Sequence, residues 1–484
     1  MYSYHVFYFP FKWEIKEREN SLFAEQTNLD NIKWNPYSNW LYNPEVIDKK
    51  ELDELYNEKN YYYEFVHPVL YDTGKENSIL KHFERKEPKQ RDVSYIISKR
   101  GGKTYKLKVD TINLNLYETG VGMLTFYLIN EREDQKEPQD ILYINQYGRR
   151  IFPPFIADIE WRNEIAQYIK IEGLNGEPSL FYEDFSGYTN KRPWKPACFI
   201  NHLITDLYNG LEIRPVIDDR MYVTCWYAND NLSKKISGEF ESFIYENNFW
   251  YNYLFVDRDE PTCQNENMRK ELTDDSTYYR WQRYGILFGV SRYSFVGLMN
   301  KSSFSTDILF IHMRTIYSRM VELVLIQRAS ILRFSDEIAS VGQLSKVKII
   351  DKRLVERISS IYKEYIRFTN QIYFREVTSQ DQGIELYKIM TDILKLQDYV
   401  DGLDKEIHEL YQYVSLVDDK IRNRNAEKLN IIAAIFLPAT LIAGLFGMNK
   451  GEDLGSFCWQ FLIVVAATGI MFGLIQLIFK YKKK

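Results

Sequence analysis

The feature that most constrains this chain lies near its end. Leu386, Ile389, Ile393, Leu396, Val400, Leu403, Ile407, Leu410, Val414, Val417 and Ile421 follow one another at spacings of 3, 4, 3, 4 without a break. An apolar residue every 3.5 positions keeps one stripe of a helix against a neighbour, so eleven such positions predict a long packed helix. No proline interrupts Ile384 to Leu437, so the seam predicts one helix running on into an uncharged stretch. From Ile384 to Phe446 it would span roughly 90 Å at 1.5 Å per residue. A stalk and a monomeric helical bundle both use heptads, and a helix of this length suits the stalk better.

The uncharged stretch runs from Leu429 to Asn449, 21 residues, and a second runs from Leu454 to Phe479, 26 residues. About 20 apolar residues in a helix cross a hydrocarbon core. The two predict a tight transmembrane hairpin, with spans at 429–449 and 457–479 and a loop at 450–456. Lys420, Arg422, Arg424 and Lys428 precede the first span, and Lys480, Lys482, Lys483 and Lys484 follow the second. By the positive-inside rule both flanks are cytoplasmic, the loop is outside, and the preceding 428 residues stay in the cytosol. Hydropathy alone leaves a plain two-span anchor as open as a channel.

Two further helical regions precede the stalk. Leu354, Ile358, Ile361, Tyr365, Phe368 and Ile372 form a second heptad-like series, and Asp307 to Phe334 a third helical region. "TSQDQG", Thr378 to Gly383, reads as a polar turn closed by glycine. The chain thus divides into an α+β domain at 1–300, a helical hairpin at 301–380, a stalk helix at 381–428, the two spans, and a basic tail at 480–484. In the first 300 residues "YHVFYFPFKW" and "YYYEFVHPVLY" read as strands. Thr104 to Asn130 alternates apolar and polar residues and turns at Gly120 and Gly122, a β-meander. Asn130 to Gln139 and Arg258 to Ser276 read as solvated loops.

Composition narrows the chemistry. A net charge of −5 over 484 residues does not point to nucleic acid. Cys198, Cys225, Cys263 and Cys458 are scattered, with no CxxC, which fits a reducing compartment and argues against a disulfide framework or a zinc site. No GxSxG, HExxH or GxGxxG occurs, and "RGGKT", Arg100 to Thr104, lacks the leading glycine of a phosphate-binding loop, so it reads as a hairpin turn. No enzymatic activity is expected. The 38 Tyr and 29 Phe reflect either compositional bias or an aromatic-lined pocket. "NQYGRRIFPPF", Asn145 to Phe155, sets Arg149 and Arg150 between Tyr147 and Phe152. Arginine forks bind phosphate and aromatic rings stack on bases, so these four are candidate nucleotide ligands; a loop packed on the sheet is the plainer reading.

"NRNAEKLNIIAAIFLPATLIAGLFGMN", followed by a short loop, a second span and a lysine tail, resembles the CorA family of divalent-cation channels. The match rests on Gly447-Met448-Asn449 closing the first span, Pro438 and Thr440 within it, and Asn423 at its cytosolic entrance. The resemblance implies a homopentamer in the plasma membrane whose first spans line a pore and whose cytosolic domains form a funnel. Carried over by position, Asn423, Ala426, Leu429, Ala433, Leu437, Thr440, Gly444 and Asn449 face the pore, mostly one helical face. It further implies Mg²⁺ or a related divalent ion passing hydrated through an Asn449 selectivity ring, with Glu452 and Asp453 attracting cations to the mouth. Magnesium-gated members sense the ion through acidic residues between cytosolic domains. Here Thr306 to Glu376 holds eight acids against twelve Lys and Arg, which speaks against such a sensor. CorA-like proteins also act as membrane effectors of type III CRISPR defence, controlled by an adenine-nucleotide messenger. The large aromatic N-terminal region and the basic helices fit that subclass. A membrane-tethered binding protein without transport remains a third reading.

Overall fold

The computed structural model describes residues 1–15, 29–43, 58–75, 78–151, 165–185, 196–218, 220–344 and 352–448, with 459, 462, 463, 466, 469, 470 and 473 beyond them; at several helical positions only the backbone is described. Two compact units result: Met1–Leu344 with Ser359–Ile407, and Ser345–Ile358 with His408–Lys484.

The first unit is built on a thirteen-stranded sheet. The strands are β1 (Ser3–Ile15), β2 (Trp40–Tyr42), β3 (Leu80–Arg85), β4 (Ser94–Lys99), β5 (Thr104–Tyr117), β6 (Val121–Asn130), β7 (Ala166–Glu172), β8 (Tyr182–Asp184), β9 (Leu211–Pro215), β10 (Tyr222–Ala228), β11 (Thr277–Tyr278), β12 (Leu287–Val290) and β13 (Ser294–Met299). Their main order is β11-β12-β13-β10-β1-β6-β5-β4-β7-β8. The β10–β13 pair is parallel and the other pairs are antiparallel. The helices are α1 (His67–Leu70), α2 (Glu87–Gln90), α3 (Pro138–Gly148), α4 (Cys198–Leu207), α5 (Asp230–Gly238), α6 (Asn248–Phe255), α7 (Glu266–Ser276), α8 (Phe310–Arg314), α9 (Ile316–Leu344), α10 (Lys352–Gln371), α11 (Asp381–Ile393) and α12 (Leu396–Met448).

The central strand β1 explains the unusual run "SYHVFYFPF". Side chains of a strand alternate between faces, and here both faces are covered, so Ser3 to Phe11 is buried throughout. Tyr4 meets the edge of Phe310 on α8, and Tyr8 donates to the carbonyl of Ser318 on α9 at 3.5 Å. On the opposite face His5 bonds Asn145 of α3 at 2.7 Å. Phe7 packs so close to Gly148 that a β-carbon there would sit 2.7 Å from its ring. Part of the aromatic richness of the chain goes into this core: Phe7, Phe9, Phe11, Trp13, Tyr95, Phe126, Phe199 and Trp250 belong to one buried cluster.

The β5–β6 hairpin forms as the alternation predicts, and "RGGKT" is the β4–β5 turn, with Gly101 at φ +61°. Three readings are corrected. "YYYEFVHPVLY" is not a strand but a 3₁₀ turn at Glu64–Val66 running into α1, because Pro68 has no N–H to give a ladder and suits a helix start. Arg258 to Ser276 is not all solvated loop, since Glu266–Ser276 is α7, opened by the Asn265 side chain accepting from the Met268 N–H at 2.9 Å. Nor is Asn130 to Gln139 all solvated: Asn130 and Gln135 are buried, Glu133–Gln135 is a 3₁₀ turn, and α3 begins at Pro138.

The stalk also departs from expectation. The seam from Ile384 does not form one helix. It is broken at Leu394 and Lys395, between α11 and α12, and Lys395 holds a left-handed φ of +52°. The spacing of apolar residues passes through the break undisturbed, which hid it. The carbonyl of Leu394 accepts from Arg328 Nη1 at 2.7 Å, and the Arg328 guanidinium lies over the Tyr399 ring at 5.5 Å. Gly383 does not close a turn either. It sits in the first turn of α11, where a β-carbon would come within 2.5 Å of Thr378 and 2.6 Å of the Tyr61 hydroxyl. Burial follows part of the seam: Leu386, Leu396, Val400, Leu403, Ile407 and Val414 are buried while Ile389, Ile393, Leu410 and Val417 are half-buried, and Leu354, Ile358, Ile361, Tyr365, Phe368 and Ile372 of the second series are buried.

Within the first unit, α9 and α10 are tied by Arg333. Its Nη2 reaches Glu337 at 2.7 Å and Glu364 at 2.8 Å, and its Nη1 donates to the Thr119 carbonyl in the β5–β6 turn. Gly120, at φ +71°, leaves that room: a β-carbon would lie 3.2 Å from the guanidinium carbon.

Candidate functional site

In the second unit α12 carries the polar band and the apolar run in one helix, from His408 to Met448. Arg422 and Asp418, one turn apart, pair at 2.8 Å with Arg422 largely exposed; such a pair contributes little to stability. Asn423 and Ala426 are exposed, as are Leu429 (66 %), Ala433, Leu437 (68 %), Thr440 and Gly444. So are Ile432 (52 %) and Phe436 (62 %), which flank the same face of the helix. Large apolar side chains are therefore open along this part of the helix, a surface that marks an interface with protein or lipid rather than with water.

Thr440 donates its hydroxyl to the carbonyls of Phe436 and Leu437, at 3.0 and 2.9 Å. This back-bonding occupies its one proton, so only the oxygen lone pairs face outward. The backbone stays helical through Gly447 and Met448. Asn449, Glu452, Asp453, the loop at 450–456 and the tail lie outside the described residues, as does most of the second stretch. Among the described residues no helix is long and apolar enough to cross a membrane, and no group of His, Cys, Asp and Glu is placed to hold a metal ion.

The second sequence candidate, Tyr147-Arg149-Arg150-Phe152, is dispersed where described. Tyr147 is buried on α3, with its hydroxyl accepting from Arg258 at 3.3 Å and the Lys99 ammonium 5.9 Å from its ring. Arg149 is buried beside Tyr293 instead, 5.5 Å from that ring. Arg150 forms a β-bridge with Arg220. Phe152 lies outside the described residues. Sequence reasoning did not find Tyr293 and Arg220, since nothing in their local spacing joins them to residue 149.

Comparison with known proteins bears on the C-terminal part. Residues 292–483 match the family model described as CorA-like Mg²⁺ transporter protein. The chain is 34 % identical over 135 residues to the cobalt/magnesium transport protein CorA of Thermotoga maritima. That similarity covers 27 % of this chain and 35 % of the relative, so the match spans about a third of the relative's length. Residues 292–483, which take in the exposed apolar run of α12 and the Gly447-Met448-Asn449 motif, are thus the part of the chain that is similar to the CorA family.

Proposed function

We propose that this chain is the subunit of a CorA-type homopentameric channel passing hydrated divalent cations across the plasma membrane, with both termini cytoplasmic and Mg²⁺ the first candidate ion. One observation carries the reading: α12 leads without a break from its charged band into a run with large apolar residues exposed at Leu429, Ile432, Phe436 and Leu437, and that run ends in Gly447-Met448-Asn449. Five copies of such a helix around an axis cover those residues with one another and with lipid.

The chemistry follows from the ion. Mg²⁺ dehydrates reluctantly and keeps several waters when bound. A ring of five Asn449 side-chain carbonyls accepts hydrogen bonds from those waters without replacing them. Five carboxylates would hold the ion more strongly and slow its release, and conduction needs sites weak enough to leave. Glu452 and Asp453 place that stronger attraction at the mouth instead. Thr440, with its proton given to the backbone, offers lone pairs to the same waters. Rings of Leu429 and Leu437 form apolar constrictions that gate by dewetting.

Gating runs from the cytosolic domain through the stalk. A trigger shifts the gate only through different affinity for its open and closed states. The excess of twelve basic over eight acidic residues from Thr306 to Glu376 favours an anionic trigger, such as an adenine-nucleotide messenger, over bound magnesium. The reading assigns transport and no catalysis. The test is ²⁵Mg²⁺ or Co²⁺ uptake into proteoliposomes by the wild type and Asn449→Ala. Uptake lost with the oligomer intact is expected; undiminished, ion-selective uptake by the variant overturns the assignment of Asn449.

A further inference from the structure

Arg149 follows the last residue of α3 and is 2 % exposed. Its Nη2 donates to Gln146 Oε1 at 2.9 Å. Its Nε and Nη1 are shut off from solvent and have no hydrogen-bond partner among the described residues. The Arg149 guanidinium lies over the ring of Tyr293 at 5.5 Å, and the Arg220 guanidinium lies over the same ring at 5.2 Å. Backbone bonds fix this grouping. The Met221 N–H donates to the Arg149 carbonyl at 2.8 Å, the Val223 N–H to the Tyr293 carbonyl at 2.9 Å, and Arg150 bridges Arg220.

Among the described residues no carboxylate forms an ion pair with Arg149; Asp218 pairs with Arg220 at 3.3 Å. Burial, and then the Arg220 charge, push Arg149 down to about 9, so it remains protonated at neutral pH. Folds keep a buried charge only when it is paired and its donors are used. The face of one tyrosine, shared by two guanidiniums, does not satisfy the N–H groups on Nε and Nη1 of Arg149. A phosphate-type oxyanion would: it brings negative charge and several acceptor oxygens, and guanidinium is its usual partner in proteins.

We infer that Arg149, Arg220 and Tyr293 form a binding site for a phosphate-type oxyanion, with the open donors of Arg149 as its principal contacts and Arg220 as the second charge. Inorganic phosphate and the phosphate group of a nucleotide share this chemistry. The inference stands on this cluster alone, so anion binding and ion flux can fail separately.

The test is thermal unfolding of the full chain in detergent, titrated at constant ionic strength with sodium phosphate, with a nucleoside monophosphate, or with chloride as control. A rise of the midpoint with either phosphate compound, absent with chloride, is expected. Arg149→Met should abolish that rise, and Arg149→Lys should restore part of it. Arg220→Gln, which leaves Arg149 in place, should weaken the apparent affinity on the order of 10- to 100-fold, as for one charge-assisted hydrogen bond, and it serves should Arg149→Met not fold. A rise in the phosphate arm assigns the site to the free ion, and a rise in the nucleotide arm alone assigns it to an ester; both support the inference. No rise above chloride in either arm, or a rise unchanged in both Arg149→Met and Arg220→Gln, overturns it.

Discussion

Replacing Arg333 by methionine tests whether the tie between α9, α10 and the β5–β6 turn holds the first unit together. Its side chain is 14 % exposed and pairs with Glu364, 6 % exposed, and Glu337, 14 % exposed. Burial disfavours the Arg333 charge, yet Glu337 and Glu364 outweigh that and raise its affinity for the proton above the usual value. The methionine variant leaves two carboxylates in a closed setting and strips the Thr119 carbonyl of its donor. Removing one partner of such a group costs about 3–5 kcal/mol. With a melting entropy of about 2 cal/mol/K per residue, a cooperative unit of several hundred residues then loses roughly 4–6 °C of thermal midpoint. The assay is thermal unfolding of the full chain in detergent at neutral pH, followed by tryptophan fluorescence. The diagnostic comparison is the triple variant Arg333→Met, Glu337→Gln, Glu364→Gln. It removes the stranded charges along with the arginine, so it should melt above the single variant. A single variant within about 1 °C of wild type, or a triple variant less stable than the single, refutes the reasoning.

Two further outcomes are expected. His5 is fully buried between Ser3 and Asn145, and burial lowers it from 6.5 to about 4. The neutral ring is the folded form, so its contribution is complete above pH 6.5 and is lost as pH falls from 6.5 toward 4, up to about 3 kcal/mol; denaturant titrations at pH 7 and pH 4.5 should show this loss, and His5→Gln should reduce it. At the break between α11 and α12, Lys395→Gly should stabilise by up to about 1 kcal/mol, because glycine takes a left-handed φ without penalty; a loss of about that size in the same titration, as glycine causes inside a continuous helix, would mean that α11 and α12 are one rod.

The cases of success and failure in the sequence share a physical origin. The seam from Leu386 to Ile421, the second series from Leu354 to Ile372 and the β5–β6 hairpin were legible because burial on one face imposes a period, and a period survives in the sequence. The break at Lys395 was not legible. Its determinants are the left-handed backbone at a residue that carries no mark of it and a donor, Arg328, that arrives from α9. "YYYEFVHPVLY" failed because strand propensity describes half-buried pleated surface in general, while Pro68 and the Tyr62 hydroxyl, bonded to the Ile316 carbonyl, settled that segment by its tertiary surroundings. Helix α7 could have been found, since Asn265 before Glu266 is a helix-start signal.

The site divides along the same line. Positions 423 to 444 could be set on one helical face from their spacing alone, because they lie on one element, α12; that this face lines a pore is a proposal. The arginine motif was half readable: two adjacent arginines announce an anion, but nothing local says which of them is buried. The strand register decides it. The antiparallel bridge between Arg150 and Arg220 turns the neighbouring Arg149 inward, and the bond from the Val223 N–H to the Tyr293 carbonyl sets the ring beneath it. A site assembled across strands leaves no period in the chain; what it leaves is unspent bonding capacity in the folded molecule. Among the described residues one such place is Arg149, a guanidinium closed off from water with its Nε and Nη1 unpartnered, and a cation in that position is accounted for by the anion we infer that it holds.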